Sequence, residues 1–238
     1  MSQESGTDNI GRGAQYQVVD LHDGRVRKIP LTLEESQATI RSWFAPDPAP
    51  AELLAIDFPQ LADDATQHTS WLLETHPELA ATFANPVFED GGRYTQDKTP
   101  LLGNVMRERS VPEAKELIEG YIGLVIRHWR YGIADFIFKC AANNGVDPQD
   151  RVVMLDFGEI TTSKETIAEH LAAQSWLESN SYRNRLSPPL KAYYAQRMAT
   201  MLTHETLENV WGTALRHQPN AEEYATGPIS IGQSLPTL

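Results

Sequence analysis

Val152-Val153-Met154-Leu155-Asp156-Phe157-Gly158-Glu159 constrains this chain more than any other stretch. Four consecutive apolar residues are enough for a buried strand. The run ends at once in a carboxylate, an aromatic ring and a glycine. A strand of this kind presents Asp156 at its exit, sinks Phe157 beneath it and lets Gly158 turn the backbone. A carboxylate held rigidly in that way suits a hard cation. The tripeptide acquires meaning only from what precedes it.

Composition narrows the classes. The 238 residues suffice for one large core or two smaller ones. Hydrophobic residues make up 41% and charged residues 22%, the balance of an ordinary globular protein. A formal charge of −12 argues against nucleic acid as the main partner, which needs clustered Lys and Arg. A nucleotide site remains open to it, because a few cations or backbone N–H groups suffice. Cys140 is the one cysteine, so an intrachain disulfide and a cysteine-built zinc cluster are both excluded. Met1 to Asn9 lacks the apolar core of a secretory signal, and no run approaches the roughly 20 apolar residues of a membrane span. The expectation is no membrane association and a cytoplasmic location.

Along the chain, residues 1–9 read as a flexible tail. Ile10 to Val19 and Arg25 to Leu31 read as strands joined by His22-Asp23-Gly24, a strong hairpin signal. Thr32-Leu33-Glu34-Glu35 is a capping box opening a helix to about Phe44. Pro46, Pro48 and Pro50 mark a rigid break, and Ala51 to His76 reads as mainly helical. Thr82 to Phe88 and Arg93 to Asn104 read as a second strand pair around Asp90-Gly91-Gly92. Ala114, Leu117, Ile118, Tyr121, Ile122, Leu124, Val125 and Trp129 predict a long, largely buried helix from Glu113 to about Arg130. Phe136 to Ala142 and Val152 to Leu155 read as a hairpin across Asn143 to Arg151, which makes Cys140 a small buried hydrophobe within a strand. Ser163 to His217 is helical with an interruption at Ser187-Pro188-Pro189, and residues 218–238 read as a second flexible tail. His128 and Trp129 fit a packed helix rather than a catalytic site.

This order gives an α+β chain of two lobes, a β-rich one over residues 10–107 and a reduced α-helical one over 108–217. It resembles the protein-kinase-like fold, the superfamily that also holds aminoglycoside phosphotransferases and small bacterial kinases. The resemblance runs from about Ile10 to Trp211 and lies in order and spacing rather than in long matching words. Gly11-Arg12-Gly13, followed by Gln17-Val18, resembles a glycine-rich loop whose N–H groups approach phosphates, with Tyr16 where a third glycine is usual. Val26-Arg27-Lys28 resembles the strand whose lysine contacts the α- and β-phosphates, and alternation sets Val26 and Lys28 on one face. Tyr131-Gly132-Ile133-Ala134-Asp135 resembles the catalytic loop, with Asp135 receiving the acceptor hydroxyl's proton. Asp156-Phe157-Gly158 resembles the turn whose aspartate holds the metal.

Two departures accompany the resemblance. The glutamate that pairs with the lysine has no single counterpart: Gln67 stands near the expected place, with Glu34, Glu35, Asp63, Asp64 and Glu74 as substitutes and Glu35 better explained by capping. The asparagine expected some five residues after Asp135 meets Lys139 and Cys140 instead, with Asn143 and Asn144 further on. Lys139 either stands in electrostatically for a second cation or marks a fold without turnover.

The resemblance therefore implies a phosphotransferase using ATP and Mg²⁺ on a small-molecule or protein hydroxyl. Gly11, Gly13, Lys28 and Lys139 are its nucleotide contacts, Asp135 and Lys28 its catalytic residues, and Asp156 with Asn143 its metal ligands. The alternative is a pseudokinase that binds nucleotide without turnover. An interaction protein lacking any nucleotide site is the third class.

Overall fold

A computed structural model describes residues 8–47 and 49–215. The C-terminal tail read at 218–238, residues 1–7 of the N-terminal one, Arg216, His217 and Pro48 lie outside the described residues. The chain divides into two compact units, Met1–Lys98 and Thr99–Leu238.

The first unit is built on an antiparallel five-stranded sheet of order β1-β2-β3-β5-β4. Its strands are β1 (Asp8–Arg12), β2 (Tyr16–Asp20), β3 (Arg25–Pro30), β4 (Val87–Phe88) and β5 (Tyr94–Asp97). The segment read as one strand from Ile10 to Val19 is two, because Gly13 N–H reaches the Tyr16 carbonyl at 2.9 Å and folds the chain back. Asp23 caps the next turn by accepting from Arg25 N–H at 3.0 Å, and Gly24 takes a φ of +88°. Between β3 and β4 lie α1 (Leu33–Trp43), α2 (Ala51–Leu54) and α3 (Phe58–Thr75). The Thr32–Glu35 capping box forms as read, with Thr32 N–H to Glu35 Oε2 at 2.9 Å and Glu35 N–H to Thr32 Oγ1 at 3.2 Å.

The second strand pair is much shorter than the sequence reading. Pro77–Phe83 is a 3-10 helix, and Ala84 and Asn85 at φ +57° and +50° reverse the chain before β4. Arg93 to Asn104 keeps only β5, since residues from 102 begin a helix of the second unit.

That unit contains α4 (Leu102–Glu108), α5 (Val111–Arg130), β6 (Ala134–Asp135), α6 (Cys140–Asn143), β7 (Asn144–Val146), β8 (Val152–Met154), β9 (Ile160–Thr161), α7 (Lys164–Ala172), α8 (Pro188–Met201) and α9 (His204–Val210). The apolar stripe read on the long helix is the buried face of α5, from Ala114 through Trp129. Trp129, Tyr121 and Tyr194 are among the unit's largest fully buried side chains. Pro188 and Pro189 open α8, where a missing N–H costs nothing. Among the described residues no helix is long and apolar enough to cross a membrane.

The hairpin is the main correction. β8 pairs with β7, Asn144 opposite Met154 and Val146 opposite Val152, and not with Phe136 to Ala142. Asp135 prevents that strand: its Oδ1 accepts from Ile137 N–H at 2.9 Å, a local turn that competes with extended backbone. Phe138 then takes φ +52°, and Cys140 begins α6 instead of sitting in a strand.

Gly145 explains how so short a strand as β7 is seated. A Cβ there would meet Thr99 Oγ1 at 2.4 Å, Leu155 Cδ1 at 2.8 Å and the Pro100 carbonyl at 3.0 Å. Gly145→Ala is therefore expected to destabilise the protein by about 1–3 kcal/mol through overpacking, read as a lower midpoint in urea with an unchanged slope.

Candidate functional site

In the first unit, strand register organises the residues of interest. Gly11 pairs with Val18, and Val18 pairs with Lys28, so Gly11 and Lys28 lie on one rung of the sheet on either side of β2. A Cβ on Gly11 would touch Val18 at 3.9 Å, and one on Gly13 would reach the Tyr16 carbonyl at 4.0 Å. These are ordinary contacts, so packing alone demands glycine at neither position.

Val26 and Lys28 do share a face, and both are 6% exposed. The Lys28 ammonium lies 5.7 Å from the centre of the Tyr16 ring and 5.6 Å from that of Tyr94, within cation–π range. Tyr16 is fixed in turn by its hydroxyl, 2.7 Å from Thr66 Oγ1 on α3. Sequence reasoning missed this aromatic frame, although Tyr16 stood where a glycine was expected. Two of the α3 candidates for the lysine's partner engage each other, Gln67 donating to Asp63 at 2.8 Å, and a third, Asp64, accepts from Gln60 at 2.8 Å. Glu35 is spent on its cap.

The second unit gathers the remaining residues. β6 pairs with β9, Ala134 opposite Thr161 and Asp135 opposite Ile160. The Asn143 carbonyl accepts from Leu155 N–H at 2.8 Å and from Asp156 N–H at 3.2 Å. Asn143 therefore stands beside the exit of β8, where Asp156 begins its turn with Oδ1 3.4 Å from Gly158 N–H. Residues 136–139 are consumed by the turn and 140–143 by one turn of helix, so the residue adjoining the hairpin is Asn143 rather than Lys139 or Cys140. Counting residues from Asp135 could not reveal this.

Glu159 ties the group together. Its carboxylate accepts from Lys139 Nζ at 2.7 Å through one oxygen and from Asn143 Nδ2 at 2.5 Å through the other. Burial works against the Lys139 ammonium, yet the charges of Glu159, Asp135 and Asp156 outweigh it and raise its pKa. Asp135 is 4% exposed, and its Oδ2 has no hydrogen-bond partner among the described residues. Burial first, then the Glu159 charge, raises the Asp135 carboxyl from 3.8 to about 7, against the opposing pull of Ile137 N–H and Lys139.

Behind this group, Phe138 is fully buried edge-on against Trp176, with ring centres 5.9 Å apart, and its carbonyl accepts from the Tyr194 hydroxyl at 3.4 Å. Burial pushes the Cys140 thiol up to about 12 and holds His128 down to about 3, so both are neutral packing groups.

Oxygen donors for a hard cation are present in small number. Magnesium keeps most of its water and takes one or two protein side chains together with substrate phosphates. The Asp156 carboxylate and the Asn143 amide oxygen fit that demand. The described residues contain no cluster of three or more His, Cys, Asp or Glu able to hold a metal by themselves. The Asn143 amide nitrogen is committed to Glu159, so its oxygen faces away from that carboxylate.

No family model and no curated protein matches this sequence. Solved structures similar to it include the bifunctional kinase-methyltransferase WbdD, at 16% identity and TM-score 0.38 over 80% of this chain and 44% of that one. A second is the Rv3197–erythromycin complex from Mycobacterium tuberculosis, at 14% identity and TM-score 0.37 over 66% of this chain and 46% of that one. A third is the Rio2 kinase ADP/Mg²⁺-phosphoaspartate complex from Chaetomium thermophilum, at 14% identity and TM-score 0.43 over 89% and 69%. The chain spans less than half the length of the first two. It is an α+β chain, a β-sheet unit followed by a helical one, and it is similar to kinase-like structures.

Proposed function

We propose that this chain is a phosphotransferase that uses ATP and Mg²⁺ to phosphorylate a hydroxyl group. The observation that carries the reading is the pair of hydrogen bonds from Leu155 and Asp156 N–H to the Asn143 carbonyl. Through them two oxygen-bearing side chains of the kind magnesium prefers flank one hairpin. Asp135 is registered against the strand that follows.

In this reading Gly11 and Gly13 let backbone N–H groups approach the nucleotide phosphates, and Lys28 and Lys139 supply positive charge to them. Asp156 and Asn143 would hold the cation, which supplies neutralisation of the phosphoryl charge when bound. Asp135 receives the proton of the acceptor hydroxyl. Its orphaned Oδ2 is the free acceptor atom, and a carboxyl raised to about 7 is matched to that task near neutrality. The acceptor is a small molecule or a protein hydroxyl.

One observation favours a second reading, a pseudokinase. Lys139 brings a permanent positive charge close enough to Asp156 for the two to interact electrostatically, which lowers the site's need for a second cation. Such a chain binds nucleotide and does not turn it over.

Thermal unfolding with ATP, with and without Mg²⁺, tests both. Saturation at 100 times the dissociation constant is expected to stabilise the protein by about 2.7 kcal/mol. Asp156→Ala is expected to lose the magnesium-dependent part. If that variant keeps the full shift, Asp156 is not the metal ligand. A magnesium-dependent shift without turnover over a broad acceptor panel selects the pseudokinase. No shift at all leaves the interaction protein as the reading.

A further inference from the structure

Glu159 has no role in the proposed phosphoryl transfer, yet it is a highly connected carboxylate of the second unit. It is 9% exposed, and both of its oxygens are engaged by side chains of other segments. Lys139 and Asn143 approach it from either end of the turn that forms α6. Its own carbonyl accepts from Phe136 N–H at 3.2 Å, so its backbone is also tied to the segment after Asp135.

We propose that Glu159 is a positioning residue for a divalent cation: by holding Asn143 Nδ2 and Lys139 Nζ on its two oxygens, it fixes the Asn143 amide with Oδ1 turned away from that carboxylate. The inference rests on the phosphotransferase reading and deepens it.

Hydrogen-bond chemistry and electrostatics both support the assignment. A carboxylate only accepts hydrogen bonds, so at 2.5 Å it must face Asn143 Nδ2 and never Oδ1. The amide oxygen is then directed to the opposite side. Without Glu159 the amide would be free to rotate and to present a donor, which repels a cation.

The charges work in the same direction. Lys139 feels both Glu159 and Asp156. A protonated amine cannot ligate a metal. The 2.7 Å pair with Glu159 gives that ammonium a different partner. Losing a partner that orients a metal ligand in this manner typically costs about 10- to 100-fold in metal affinity.

The test is a titration of the full chain with Mn²⁺ at saturating ATP, following free Mn²⁺ by electron paramagnetic resonance. Metal-free ATP affinity is measured alongside. Glu159→Gln is expected to weaken Mn²⁺ binding about 10- to 100-fold without weakening metal-free ATP binding, since Lys139 keeps its charge for the phosphates. Asn143→Ala added to Glu159→Gln is expected to cost much less than the product of the two single effects.

Unchanged Mn²⁺ affinity in Glu159→Gln overturns the inference. So do equal losses of Mn²⁺ and metal-free ATP binding, which mark a merely structural role, and so do independent Glu159 and Asn143 effects. A wild type that binds no ATP under any condition overturns the phosphotransferase reading and this inference with it. A wild type that binds Mn²⁺ and ATP beside an indifferent Glu159→Gln overturns this inference alone. Should Glu159→Gln fail to fold, the wild type still decides the matter by NMR. Slow solvent exchange of the Asn143 side-chain amide protons supports the bridge, and prompt exchange overturns it.

Discussion

Asp135→Asn is expected to leave nucleotide affinity intact and to slow phosphoryl transfer on the order of 10²- to 10⁴-fold. Asparagine keeps the size of the side chain and an oxygen for Ile137 N–H, which Asp135 Oδ1 receives at 2.9 Å. What it loses is the second carboxylate oxygen, the buried atom without a partner among the described residues. The measurement is ADP release with an acceptor, beside ATP binding by calorimetry. Undiminished turnover removes Asp135 from the mechanism, and lost binding reassigns it to structure.

The same substitution carries a pH signature. In the unfolded chain the Asp135 carboxyl ionises near its ordinary value of 3.8, and in the folded chain burial and then Glu159 raise it to about 7. Between those values the unfolded state has released a proton that the folded state retains. Stability from this group is therefore complete below about pH 4, falls as pH rises and is lost above about pH 7. Asparagine does not ionise. Relative to wild type, the melting temperature of Asp135→Asn is expected to be lowest near about pH 4 and to gain steadily up to about pH 8. A difference independent of pH rules Asp135 out as its source. Turnover by wild type is expected to rise across about pH 7, as the accepting carboxylate forms.

The largest expected loss of stability comes from Trp176→Ala, about 3–5 kcal/mol, the usual cost of emptying a buried aromatic site. Trp176 is 1% exposed and meets the Phe138 ring edge-on at an interplanar angle of 87°. Phe138 holds a left-handed backbone that a bulky residue rarely adopts, so it depends on its surroundings to stay there. Removing the indole takes away one wall of that support. The Trp176 Nε1 has no hydrogen-bond partner among the described residues, so Trp176→Phe sacrifices only volume and is expected to cost much less. Urea unfolding of both variants checks this. Equal losses would show that volume is not what Trp176 contributes.

Features that depend on neighbouring residues were readable without coordinates. Thr32 and Glu35 cap a helix by reaching one turn along it. Asp23-Gly24 turns within itself, and Val26 and Lys28 share a face because strands alternate. The stripe from Ala114 to Trp129 needs only helical period.

What escaped the reading depends on backbone diversions and distant partners. The aromatic run Phe136-Ile137-Phe138 has the composition of a strand, but Asp135 diverts it by bonding Ile137 N–H. Asn144-Gly145-Val146 has poor strand propensity and is a strand nonetheless, because only glycine fits against Thr99 and Pro100. The helix of residues 102–108 was hidden by Gly103, whose added Cβ would meet Ala141 Cβ at 2.9 Å, a close approach invisible in the primary structure. Distance from Asp135 along the chain gives no hint that Asn143 adjoins β8, because α6 sets its place in space. For Glu159, its position beside Gly158 was the only available signal.

β6 and β9 have 2 residues each and pair only with one another in their sheet. Neither is long enough to persist alone. Thermal fluctuations that open the protein locally will therefore release both strands in one event, freeing Asp135 and the chain that follows Glu159 together. A protein wired in this way opens the two segments as a single latch, Asp135 never leaving its place while Ile160 keeps its own.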